Sequence, residues 1–219
     1  TGCPGCGSWG KPTFENLIRQ HGTDIVPVAV HIKYGDKMIT PVSEAIASNR
    51  TGQFYTPQLW VNNTNDMVLN SGRIDGMESI NQLNAAIAAA KAGSTKVSVG
   101  VSSVISNDSL KLRYKTKYNV DLSGQEIYVG LYVMENALSY NQSGSAANPT
   151  VHNHVIRTSN AGGFGKAIGA SFLAKEAEME ETFSFELNEN WNKENLHVAI
   201  IIWEKVGNTY QVVNANSSM

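Results

Sequence analysis

Two apolar periodicities divide the chain. Phe14, Leu17 and Ile18 recur at helical spacing behind Pro12, which suits a first turn, and His21-Gly22 supplies a stop. Met77, Ile80, Leu83 and Ile87 repeat that spacing through an Ala-rich stretch ending near Gly93. Between them, residues 24–32 are rich in Val and Ile and read as a buried strand despite Pro27. Residues 41–49 read as a short helix with Pro41 near its first turn. Residues 59–61 read as a strand behind Pro57, 63–66 as a turn and 67–69 as the returning strand. The first 93 residues thus predict helix, strand, helix, strand, strand, helix.

From Thr95 onward the period is two. Val97, Val99 and Val101 alternate with small or polar residues, and Leu110, Leu112 and Tyr114 alternate with basic ones. Residues 127–135, 151–157, 181–187, 196–203 and 209–213 complete about seven strands, with Asn, Gly and Ser between them. That pattern predicts an antiparallel sandwich over 95–219. The junction falls in KAGST, residues 91–95.

Composition narrows the function. Of 219 residues, 42% are apolar and 16% charged, and the net charge is −2. The chain can build a core, and no basic excess exists to neutralise phosphates, so no nucleic acid is expected as a partner. No apolar run reaches the roughly 20 residues of a membrane helix. The chain opens inside a motif, so a leader or lipid anchor is expected upstream, and membrane attachment only through such an anchor.

That motif is Cys3-Pro4-Gly5-Cys6, which holds both cysteines. A zinc site needs about four ligands and no second pair completes one. A redox pair remains, with an inert loop staple as the alternative. In the redox reading a helix N-terminus favours one thiolate: Cys3 attacks and Cys6 resolves.

Other candidates are weaker. His152 and His154, two apart on a predicted strand, share a face and could hold a metal with Glu135; the plainer reading is a hydrogen bond to a neighbouring loop. Arg157 is expected to pair with Glu135 or with a backbone carbonyl. Gly162-Gly163-Phe164-Gly165 lacks a phosphate-loop ending and reads as a turn joining two strands. Lys111, Arg113, Lys115 and Lys117 read as a solvated face or a protected edge strand. No cofactor motif is present, and no cofactor is expected.

Cys3-Pro4-Gly5-Cys6 opening a helix, with Thr56-Pro57 ahead of a strand, resembles a thioredoxin-like domain. The resemblance implies that Pro57 is cis and lies against the cysteines. It also implies a strand upstream of Cys3. Trp9 and Tyr55, with Thr56, would frame the docking site. The fold class expected is therefore α+β: a thioredoxin-like α/β domain, residues 1–93, followed by an antiparallel β-sandwich, residues 95–219.

The whole chain resembles the 28-kilodalton outer-membrane-protein family of the Bacteroidetes. The residues carrying this are Cys3-Pro4-Gly5-Cys6, YVMEN at 132–136, HNHVIR at 152–157, GGFG at 162–165, Trp191 and LHVAIIIW at 196–203. The resemblance implies an exported cell-envelope protein, in the outer membrane or periplasm, often a lipoprotein. Two functions follow as expectations. One is a binding or structural role on a thioredoxin-like scaffold with an envelope protein as partner, and residues 140–150 as the binding loop. The other is a thiol–disulfide oxidoreductase acting on protein thiols or disulfides.

Overall fold

The alternating stretches of the second half form strands. In the computed structural model, which describes residues 1–32, 35–50, 55–62 and 76–218 (side chains of 76–79 aside), they build three antiparallel groups. β1 (Val97–Ser106), β2 (Ser109–Tyr118) and β8 (Glu178–Glu186) form one sheet in the order β1-β2-β8. β10 (Thr209–Ser217), β9 (Leu196–Val206), β3 (Glu126–Glu135) and β6 (Val155–Ser159) form a second in that order, and β7 (Lys166–Ala167) also pairs with β3. β4 (Leu138–Tyr140) and β5 (Thr150–His152) make a separate hairpin.

β3 and β9 are apolar on both faces because both faces are covered. Ile127, Val129, Leu131 and Val133 of β3, with Val198, Ile200 and Ile202 of β9, pack against Leu110, Leu112, Tyr114 and Phe185 of the other sheet. Tyr132, Met134, Ala199, Ile201 and Trp203 point the opposite way. There they meet Val42 and Ile46 of α2 (Pro41–Ser48), with Val26, Val28 and Val30. α2 starts where Thr40 and Ser43 form a reciprocal capping box and Pro41 needs no N–H partner.

The two sheets meet along β1. A bulge in β10 between Val212 and Asn214 turns two Asn side chains toward it. Asn214 and Asn216 donate to the Val97 and Val99 carbonyls, each at 2.7 Å. Side-chain amides thereby cover carbonyls that a bare sheet edge would expose.

The basic row on β2 is a solvated face. It is not an edge strand, since β2 lies between β1 and β8. Arg113, Lys115 and Lys117 pair with Glu180, Glu178 and Glu176. Such exposed pairs are each worth little.

α1 (Lys11–His21) and α3 (Gly76–Ala92) lie where the helical spacing placed them, and Leu17, Leu83 and Ile87 pack together. The expected strand at 24–32 does not form. The segment is extended, but it makes one parallel bridge, Ala29 to Val155. Pro27 has no N–H to extend the ladder. Residues 59–61 are likewise not a strand, and the returning strand at 67–69 lies outside the described residues. Residues 151–157 form two strands instead of one, because His154 sits at φ 58° between them. The GGFG turn does join two strands, but both run along the same edge of β3.

Candidate functional site

The motif at the chain's start folds as a helix opening. A π-helical turn, Cys6–Gly10, runs straight into α1. The Cys3 carbonyl accepts from Gly7 N–H, and the Cys6 N–H approaches Cys3 Sγ at 3.1 Å. Cys3 thus stands as an N-cap, its sulfur in the acceptor position that Ser or Asp usually fills. Cys3 and Cys6 form a disulfide with Cα atoms 5.3 Å apart.

A second segment arrives from residues 55–62. The Thr56–Pro57 peptide is cis. The Thr56 hydroxyl lies 3.4 Å from Cys3 Sγ, and the Thr56 carbonyl oxygen lies 3.6 Å from it. Pro57 seats against glycines of the first turn. A Cβ on Gly10 would stand 2.7 Å from Pro57 Cβ, and one on Gly5 would stand 3.1 Å from Pro57 Cδ and 3.2 Å from Trp9 Nε1. So the structure brings Cys3, Cys6, Thr56, Pro57 and Trp9 together. Tyr55 lines the adjoining cavity of about 830 Å³, alongside Cys3, Cys6, Thr56 and Pro57.

A third segment comes from the β-rich half and has no counterpart in the sequence reading of the disulfide. The loop between β4 and β5 lies on the CPGC turn. Gln142, 3% exposed, donates from Nε2 to the Cys3 carbonyl at 2.9 Å. Ser143 N–H donates to the Thr1 carbonyl at 2.8 Å. The backbones touch so closely that only glycine fits: a Cβ on Gly7 would lie 2.6 Å from Ser145 N, and one on Gly144 would lie 2.8 Å from the Pro4 carbonyl carbon. Gly7 and Gly10 are site residues that sequence spacing did not flag, and Gln142 and Gly144 lie in the loop expected to bind a partner, not the disulfide turn. The density of Gly in GCGSWG was the one available signal.

The two histidines do not share a strand face. His152 ends β5 and meets His31 edge-on at 5.5 Å, whereas His154 meets His197 at 5.4 Å and Phe14 at 6.4 Å. Among the described residues no three His, Cys, Asp or Glu side chains are grouped to hold a metal. Burial pushes His152 down to about 4, helped by the charge of His31. Burial and the neighbouring His154 push His197 down to about 4 as well, and burial lowers His154. His152 Nε2, His154 Nδ1 and both ring nitrogens of His197 make no full hydrogen bond. Beside them, burial alone would raise the Asp36 carboxyl. Hydrogen bonds from His31 at 2.9 Å and the Met38 N–H at 2.9 Å hold it well below the usual carboxylate range.

The motifs that carried the family resemblance converge in architecture. Tyr132 donates its hydroxyl to the Gly163 carbonyl at 2.7 Å and accepts from Trp203 Nε1 at 2.8 Å. Arg157 approaches Glu135 at 3.2 Å, as expected, and lies over the Trp191 ring at 5.5 Å. Asn136 accepts from the His154 N–H at 2.8 Å. These groups fix the corner where β3, β6 and β9 meet and leave no reactive atom open.

The chain is therefore a mixed α/β protein with antiparallel sheets and a disulfide set at a helix start. No protein-family model and no curated protein matches it. Among solved structures it is similar to HBP35 of Porphyromonas gingivalis, with 15% identity and a TM-score of 0.73 over 99% of this chain and 71% of that one. A domain of the outer membrane lipoprotein Omp28 from Porphyromonas gingivalis aligns at 14% identity over 56% of this chain and 86% of that one, with a TM-score of 0.38. The first likeness shows a shared fold along nearly the whole chain; the second is too distant to show one.

Proposed function

We propose that this is an exported cell-envelope protein whose Cys3–Cys6 pair exchanges disulfides with protein thiols. In this reading residues 1–93 are a thioredoxin-like unit and residues 95–219 a β-sandwich unit. The observation that carries it is the placement of Cys3 Sγ at a helix start, between the Cys6 N–H and the Thr56 hydroxyl, with Pro57 seated beside it. Both donors and the helix N-terminus favour a thiolate there, which is what exchange requires. Membership of the 28-kilodalton outer-membrane-protein family belongs to the same proposal. The sequence motifs support it, as does the fold shared with a Porphyromonas gingivalis protein. A persistent disulfide fits an oxidising compartment outside the cytoplasm. No described helix is long and apolar enough to cross a membrane.

The second reading is a binding or structural scaffold. The burial of Cys3 and the loop bound to its carbonyl favour it, because they suit an inert disulfide that staples the CPGC turn against the β-rich half. One experiment decides between the two. The oxidised protein is mixed with a reduced dithiol peptide, and peptide oxidation is followed against a Cys3→Ala/Cys6→Ala double variant. Exchange predicts oxidation at least about tenfold faster with the native pair. Equal rates from two folded proteins would leave the scaffold.

A further inference from the structure

We propose that the β4–β5 hairpin, residues 138–152, is a lid over the backbone of the Cys3–Cys6 turn, hinged at Ala137 and His154, and that acid opens it while the large sheets stay folded. The inference does not depend on the exchange reading, since an inert disulfide would carry the same lid.

Three observations carry it. First, the hairpin is a separate unit. It pairs with neither large sheet, and none of its residues joins the three hydrophobic clusters. A lone two-stranded hairpin is marginal in water, so its contacts with neighbours decide where it sits. Second, both ends join the core through a non-glycine residue at positive φ, Ala137 at 59° and His154 at 58°. Two side chains hold these positions: Asn153 accepts from the Ala137 N–H at 2.9 Å, and Asn136 accepts from the His154 N–H at 2.8 Å. Such strained backbone persists only while its surroundings hold it. Third, the docked face is polar. Gln142 and Ser143 donate to the Cys3 and Thr1 carbonyls at 2.9 and 2.8 Å, and Gly144 lies on the Pro4 backbone. At the hinge end His152 meets His31, and His154 meets Phe14 and His197.

The histidines make this docking sensitive to acid. His152, His154 and His197 are 6%, 9% and 6% exposed, and four of their ring nitrogens make no full hydrogen bond. A proton added there brings a buried charge and an N–H without an acceptor. His152 would carry its charge against His31 and Lys11, with Asp36 opposing them. His197 would carry its charge against His154, with the Asn195 backbone opposing, and burial alone disfavours the charge on His154. The two buried carboxylates among the described residues are already engaged. Asp36 accepts from His31 and the Met38 N–H, and Glu135 accepts from the Asn192 N–H and pairs with Arg157. Opening the lid turns His152 and His154 to water, which removes that cost, and bares the backbone of the CPGC turn. The core between the large sheets holds no histidine, so acid leaves it packed.

The test follows amide hydrogen exchange of the native chain at pH 7.5 and pH 5.0, read by mass spectrometry and corrected for the intrinsic rate at each pH. The opening constant of the 138–152 segment is expected to rise at least about tenfold at pH 5.0, and the central amides of β3 and β9 stay protected after the hairpin has exchanged. His152→Gln, which takes no charge, should cut that rise at least about threefold. A hairpin equally protected at both pH values overturns the proposal. Exchange of β3 and β9 in step with the hairpin overturns it too, because acid then unfolds the whole chain. A full rise in a folded His152→Gln variant overturns the histidine as the trigger.

Discussion

Between pH 6.5 and pH 4 the folded protein is expected to lose several kcal/mol of stability. His152 and His197 are held near 4 in the fold, below the 6.5 of an ordinary histidine. In that window the folded state keeps both rings neutral, while the unfolded chain protonates them. The unfolded state then binds more protons, so stability falls as pH falls. The contribution is intact above pH 6.5 and is lost as pH drops through 4. Each full shift is worth about 3 kcal/mol, so the pair approaches about 6 kcal/mol, a large part of the stability of an ordinary domain. The groups facing them set the sign. His152 feels His31 and Lys11, which disfavour its charge, and Asp36, which opposes them. His197 faces His154, with opposition from the Asn195 backbone. Asp36 acts in a lower window: its depressed carboxyl adds stability above the usual carboxylate range and loses it below. Urea unfolding followed by tryptophan fluorescence at pH 7.5, 5.5 and 4.5 measures the slope. A flat profile over that range would contradict the account.

Replacing Gly130 by alanine is expected to cost about 3 kcal/mol or more. β3 is buried throughout its centre, and the Tyr132 side chain lies back across Gly130. An added Cβ would stand 2.7 Å from two ring carbons and still closer to the hydroxyl oxygen. A flexible side chain would move aside. Tyr132 cannot, because it is 1% exposed and its hydroxyl is held between the Gly163 carbonyl and Trp203 Nε1. Shifting the ring would leave a buried donor and a buried acceptor unpaired, at about 1–3 kcal/mol each. The midpoint of urea unfolding reads the effect directly. A loss below about 1 kcal/mol would mean that the aromatic corner repacks freely.

This corner shows how far sequence reading reaches. The runs 127–135 and 196–203 were legible as strands, and their unbroken apolar character reflects burial on both faces. The helix starting near residue 76 was legible from Leu83 and Ile87. Cys3, Cys6, Thr56 and Pro57 were legible as one site through the family resemblance, and the geometry places them in contact. The rest depended on contacts between distant residues. Gln142 reaches Cys3 across 139 positions, and nothing in YNQSGSAANPT marks one amide as its partner. The break at His154 depends on a left-handed backbone that the HNHVIR pattern hides. The extended segment 24–32 has strand composition, but a strand needs a partner ladder. Here the edge of β6 supplies one bridge.

The central claim is that the Cys3–Cys6 disulfide is an exchange pair, and its reduction potential tests that most directly. Equilibration in glutathione buffers, with the fraction reduced read by thiol labelling, gives the value. The donors gathered on Cys3 Sγ stabilise the reduced pair, and the account predicts a potential above roughly −250 mV. A potential below about −300 mV would contradict it and leave a staple that the glutathione pool cannot open.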